Sequence, residues 1–184
     1  MGILLGFTPF IAFAVADRLA SLALSLGIAA VVSFALILRT RTRGESPKVL
    51  EIGTFVLFAL MGLCATVLHT RWNISLVRCV VDGGLLGIML LSIVVGRPFT
   101  LEYARERVPS TIYDSPPFIR QNYIITAVWA VSMAIIVLAD LALHFLPRFP
   151  VWAGGAAIGV AFTAALVFSR WYPRRHKPGQ ARQE

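Results

Sequence analysis

A chain of 184 residues with 58% hydrophobic and only 14% charged residues has too few polar groups to coat a water-soluble globule, which carries roughly 45–50% apolar and about 25% charged residues. The mean hydropathy of +0.78 agrees, so lipid must cover much of the surface. The net charge of +8 does not signal nucleic-acid binding, because the basic residues fill gaps between apolar runs and no aromatic–basic module is present.

Gly2–Ala16 is apolar from its start, is interrupted by Pro9 and has no basic residues ahead of it, so it reads as retained and not as a cleaved leader. At about 1.5 Å per residue it reaches about 22 Å, short of the roughly 30 Å of hydrocarbon. It is expected as a short span or as a re-entrant segment packed on the next helix. Leu19–Leu38, Val49–Leu68, Ile74–Val95, Tyr123–Leu146 and Val151–Trp171 are long enough to cross. The expected fold is all-α, a polytopic transmembrane helix bundle of five spans plus that short N-terminal segment. Residues 1–172 form one domain, with loops at 39–48 and 97–122, and residues 173–184 a basic tail. Within the second loop, Thr100–Val108 reads as a short surface helix, while Pro109, Pro116 and Pro117 break the remainder into a tight connection.

Arginine placement predicts orientation. Arg39, Arg41, Arg43 and Lys48 follow the second run, and Arg97, Arg105, Arg107 and Arg120 follow the fourth. Arg170, Arg174, Arg175, Lys177 and Arg182 end the chain. The alternate connections hold only Arg18, Arg71 and Arg148. Positive charge is retained in the cytoplasm, so these loops and the C-terminus are expected there. Arg39, Arg41, Arg43, Arg174 and Arg175 are the basic residues expected to face anionic lipid headgroups. Trp72, Trp152, Trp171, Tyr123 and Tyr172 lie near run ends, where aromatic rings settle at the interface. Trp129 lies deeper and reads as a packing residue.

Gly83/Gly87 and Gly155/Gly159 fit G-x-x-x-G, as does Gly2/Gly6. Such spacing lets helices approach in lipid, and the Gly83-Gly84-Gly87 group is the favoured close crossing. Ionisable residues within runs are functional candidates by default. Arg78 and Asp82 stand at i,i+4, as do Asp140 and His144, which makes each a candidate pair on one helix face. An Asp–His pair could relay protons, although a hydrated interfacial pair is the plainer reading. Asp17, His69, Arg78, Asp82, Asp140 and His144 together form a candidate polar cluster on the outer side.

No nucleophile, zinc-protease or phosphate-loop motif occurs, so neither an enzyme nor a cofactor is expected, and no metal site. Both lysines lie outside the runs, which excludes a retinal Schiff base in the bundle. Cys64 and Cys79 have no ligand spacing and read as apolar fillers.

Thr8-Pro9-Phe10 with Asp17, Ala65-Thr66-Val67-Leu68-His69 with Trp72, Gly96-Arg97-Pro98-Phe99, and Asn122 with Trp129-Ala130 together resemble the bacterial inner-membrane septation protein A family. The likeness extends over nearly the whole chain in run order, loop size and basic tail. Against the family pattern, arginines replace lysines and the tryptophan spacing shifts. The resemblance implies a non-enzymatic role in septation and envelope maintenance in the bacterial inner membrane. The implied partners are other envelope membrane proteins, and a homo-oligomer is among the assemblies this allows. The residues alone leave a second function open, a small transporter or channel for an ion, proton or lipid that uses the outer polar cluster.

Overall fold

A computed structural model describes residues 5–67, 73–146 and 148–175. Among these the chain is helical, without strands: α1 (Thr8–Ala16), α2 (Leu22–Thr42), α3 (Val49–Val67), α4 (Ile74–Val94), α5 (Phe99–Arg105), a 3-10 turn at Ser110–Ile112, α6 (Pro116–Phe145) and α7 (Val151–Arg175). α2, α3, α4, α6 and α7 are long and apolar enough to cross a membrane. Within the first run, α1 has nine residues and is about 14 Å long.

The chain forms two compact units, Met1–Ile88 and Met89–Glu184. In the first, α1 and α3 pack on α2. Phe13, Leu26, Ala29, Phe58, Met61, Val77 and Val81 make its core, and the Phe58 ring lies 5.2 Å from Phe10 and 5.7 Å from Phe13. The buried stripe of α2 carries Ser25, Leu26, Ala29 and Ser33, while Leu24, Val31, Phe34 and Leu38 point outward. Small and polar residues inside with large apolar ones outside is the pattern of a helix facing lipid, where close packing, not water exclusion, holds helices together. The buried hydroxyls are satisfied within the helix: Ser25 Oγ donates to Ser21 O at 3.0 Å and Ser33 Oγ to Ala29 O at 2.9 Å.

Two glycines end helices. Gly44 has φ 74° and Gly96 φ 77°, the left-handed backbone that glycine tolerates. At the first, the Gly44 N–H donates to Arg41 O and the Glu45 N–H to Thr40 O. At the second, the Gly96 N–H donates to Ile93 O and the Arg97 N–H to Ser92 O. Both are Schellman closures, which satisfy carbonyls that would otherwise be orphaned at the helix end. α2 therefore extends past its apolar run through Arg39 and Arg41, and the expected 39–48 loop shrinks to the residues after Thr42.

In the second unit α6 and α7 form a hairpin. The Trp129 indole Nε1 donates to Ser169 Oγ at 2.8 Å, and its ring meets Phe162 edge-on at 5.5 Å. α5 is tied to α6 by the Thr100 hydroxyl, which lies 2.7 Å from Thr126 Oγ1 and donates to Asn122 O at 2.9 Å. The expected 97–122 loop is also corrected. Pro116 and Pro117 open the 30-residue α6, because proline lacks only an N–H that the first turn leaves unbonded and its φ already suits a helix.

Within the favoured Gly83-Gly84-Gly87 group the close approach is at Gly84, and the G-x-x-x-G positions themselves are open. A side chain at Gly83, Gly87, Gly155 or Gly159 would meet nothing within 4 Å in this chain. The close approaches are at Gly84, where a Cβ would lie 2.5 Å from Leu57, at Gly53 (2.8 Å from Ile88) and at Gly154 (2.6 Å from Leu143). One residue turns a helix position by about 100°, so spacing located the segment but not the face. Both cysteines are free, Cys79 buried and Cys64 partly so.

Candidate functional site

The first unit holds a polar pocket of about 290 Å³, lined by Phe10, Phe13, Asp17, Arg18, Arg78 and Asp82 among others. Asp17 closes α1, with its backbone N–H bonded to Phe13 O at 2.8 Å. Its carboxylate is nearly covered, at 7% exposure, while the Arg78 side chain from α4 is 48% exposed. Arg78 Nη2 lies 3.9 Å from Asp17 Oδ2, an ion pair across two helices. Arg78 and Asp82, one turn apart on α4, open onto the same pocket. Its four charged groups cancel in sum while presenting both signs, which suits a polar or zwitterionic solute. No nucleophile–base pair stands among the lining residues.

The other half of the expected outer cluster behaves differently. Asp140 in α6 is buried at 7% exposure, and its Oδ2 has no hydrogen-bond partner. The spacing to His144 does not produce the expected pair: the imidazole instead meets Phe145 edge-on, with ring centroids 4.6 Å apart. The i,i+4 relation puts two side chains on one face, but rotamers decide whether they touch. His69 lies outside the described residues. Among the described residues, no group of three or more His, Cys, Asp or Glu side chains could hold a metal ion.

At the basic ends, Arg39, Arg41, Arg43, Arg174 and Arg175 are all exposed, with the Arg175 guanidinium 4.9 Å from the Trp171 ring centre. Trp152 and Trp171 are exposed near helix ends, and Trp129 is buried as a packing residue. No protein-family model, no curated protein and no solved structure matches the chain.

Sequence reasoning missed a buried ionic knot between α2 and α3. Thr40 Oγ1 lies 3.1 and 3.0 Å from the two carboxylate oxygens of Glu51. Lys48 Nζ lies 3.6 Å from Glu51 Oε1 and 3.8 Å from Glu45 Oε2. The Lys48 N–H also donates to Glu51 Oε2 at 3.4 Å, a carboxylate reaching back over the first turn as in a capping box. The signal was legible: Glu51 stands three residues after Lys48 at the head of an apolar run. The knot anchors the end of α2 that carries exposed Arg39 and Arg41, with Arg43 just beyond it.

Proposed function

We propose that this chain is a non-enzymatic multi-pass protein of the bacterial inner membrane that supports septation or envelope maintenance through contacts with anionic lipid and with other membrane proteins. The observation that carries this reading is the fixed basic end of α2. Arg39, Arg41 and Arg43 project from a helix that is closed by Gly44 and anchored by the Thr40–Glu51–Lys48 knot. Each arginine near an anionic surface contributes about 1 kcal/mol. The open faces at Gly83, Gly87, Gly155 and Gly159 support docking of other membrane helices. The test is deletion in the source bacterium, complemented with wild type or with Arg39, Arg41 and Arg43 changed to Ser. Division or envelope defects restored by wild type but not by the triple variant at equal membrane abundance support the reading. Full rescue by the triple variant refutes the lipid contact, and a deletion without such defects refutes the septation role.

A second reading has its own observation, the two-signed pocket of Asp17, Arg18, Arg78 and Asp82. It would make the chain a small transporter or channel. Purified protein in liposomes, assayed for ion, proton and labelled-phospholipid flux, tests it: flux lost in both Arg78→Ala and Asp82→Asn establishes transport, and no flux above empty liposomes from folded protein removes it.

A further inference from the structure

We propose that the pocket between α1 and α4 binds a zwitterion amine-first, with its primary ammonium against the Asp17 carboxylate and its acidic oxygens against Arg78 at the mouth. The proposal rests on the second reading above in taking this pocket as a solute site, and it names the class of solute and the end that enters first.

The charges are layered by depth. All the lining residues belong to the first unit. The Asp17 side chain is nearly covered while that of Arg78 is half-exposed, and Arg18 is exposed. The negative group is therefore the inner one and the two arginines are the outer ones. A solute that enters with its cation ahead finds each of its charges opposite the other sign. One that enters with its anion ahead brings like charge against Asp17.

Asp17 is also weakly neutralised. Arg78 Nη2 stays 3.9 Å from Oδ2, beyond hydrogen-bond length. A covered carboxylate needs both a partner charge and hydrogen bonds to offset the water it has lost. A primary ammonium supplies both, as a compact charge with three N–H donors, and a pocket of about 290 Å³ gives it room. Asp82 lines the same pocket and adds a second negative charge.

Two further features favour a cation at depth. α1 has no basic residue in its last turn, so the negative end of that helix adds to the charge of Asp17. Phe10 and Phe13 form part of the wall, and the face of an aromatic ring attracts an ammonium. At the mouth, a guanidinium forks onto phosphate or carboxylate oxygens. Phosphatidylethanolamine and free amino acids share this ammonium–acid chemistry, and the arms of the test separate them.

The experiment uses full-length protein in neutral detergent. Native mass spectrometry reads retention of phosphatidylethanolamine, phosphatidylcholine and phosphatidylglycerol, and titration calorimetry reads binding of glycine and of acetate. Wild type is compared with Asp17→Asn and Arg78→Gln, with circular dichroism as the folding control. Retention of phosphatidylethanolamine over both other lipids, weakened about tenfold in Asp17→Asn and about fivefold in Arg78→Gln, supports the site with a lipid as its source. Glycine binding without a lipid preference, lost in the same variants, supports it with a soluble zwitterion. Acetate or phosphatidylglycerol bound as well as the zwitterions overturns it, as does binding unchanged in the folded variants. A merely structural Asp17 would lower retention of all three lipids alike, which also overturns it. Arg78 is half-exposed, so its variant keeps the test valid even where Asp17→Asn fails to fold. Flux is measured in liposomes from the same preparations. Zwitterion binding without flux keeps this site and removes transport; flux with no zwitterion bound keeps transport and overturns this ligand class.

Discussion

Arg78 on α4 reaches across to Asp17 at the end of α1, bringing Nη2 to 3.9 Å from Oδ2. The partners are unequally buried, the arginine being half-exposed and 3.9 Å away, so the pair fastens α1 only modestly. A double-mutant cycle of Asp17→Asn and Arg78→Ala, read by denaturant unfolding in detergent, is expected to give a coupling of about 0.2–1 kcal/mol. No coupling would mean that the two charges serve the pocket and not the fold.

Glu51 is the centre of a tighter arrangement. Glu51→Leu takes the closer of the two carboxylates away from buried Lys48 and removes the Thr40 hydroxyl's acceptor, and is expected to cost about 2–4 kcal/mol. Adding Lys48→Met should recover much of that loss, because the buried charge goes with it. Comparison of unfolding midpoints checks both, and a single variant as stable as wild type would remove the knot from any structural role.

The glycine positions separate sharply. Gly84→Leu drives a side chain into Leu57 and Gly154→Leu drives one into Leu143, each expected to cost about 1–3 kcal/mol by overpacking. Gly87→Leu enters open space and should leave the isolated chain within about 0.5 kcal/mol of wild type. Thermal unfolding of the three variants decides. A larger loss at Gly87 than at Gly84 would contradict the described packing.

Ser169→Ala removes the acceptor of a buried indole N–H, with an expected loss of about 1–3 kcal/mol. In the Trp129→Phe background the same change should cost much less, since no donor is left stranded. The difference between the two costs measures the bond.

Asp140 makes the opposite prediction. Its Oδ2 is buried without a partner, so Asp140→Leu should leave stability unchanged or raise it. A marked loss in unfolding temperature would reveal a partner that holds the carboxyl in place.

Much of the fold was legible from local chemistry. Run length fixed the five helices long enough to cross, because hydrocarbon thickness sets a minimum and backbone polarity demands helices. The stops at Gly44 and Gly96 were also present in the sequence, as glycine followed by a charged residue after each apolar run. The start of α6 was not read, since its two prolines look like breakers until their place in the first turn is known. Of the candidate site, the i,i+4 spacing of Arg78 and Asp82 placed both on one face, and both line one pocket. The same spacing failed for Asp140 and His144.

The sequence by itself therefore determined an all-helical chain, its lipid-facing composition and its arginine-rich helix ends. Composition and segment length are local quantities that the bilayer reads directly. Only the tertiary structure decided that Asp17 meets Arg78, which glycine of the Gly83-Gly84-Gly87 group is the close crossing, and that Glu51 ties α2 to α3. Each of these depends on the rotation of one helix against another. In lipid that rotation is set by packing and by a few polar contacts between distant segments, which neither periodicity nor spacing encodes.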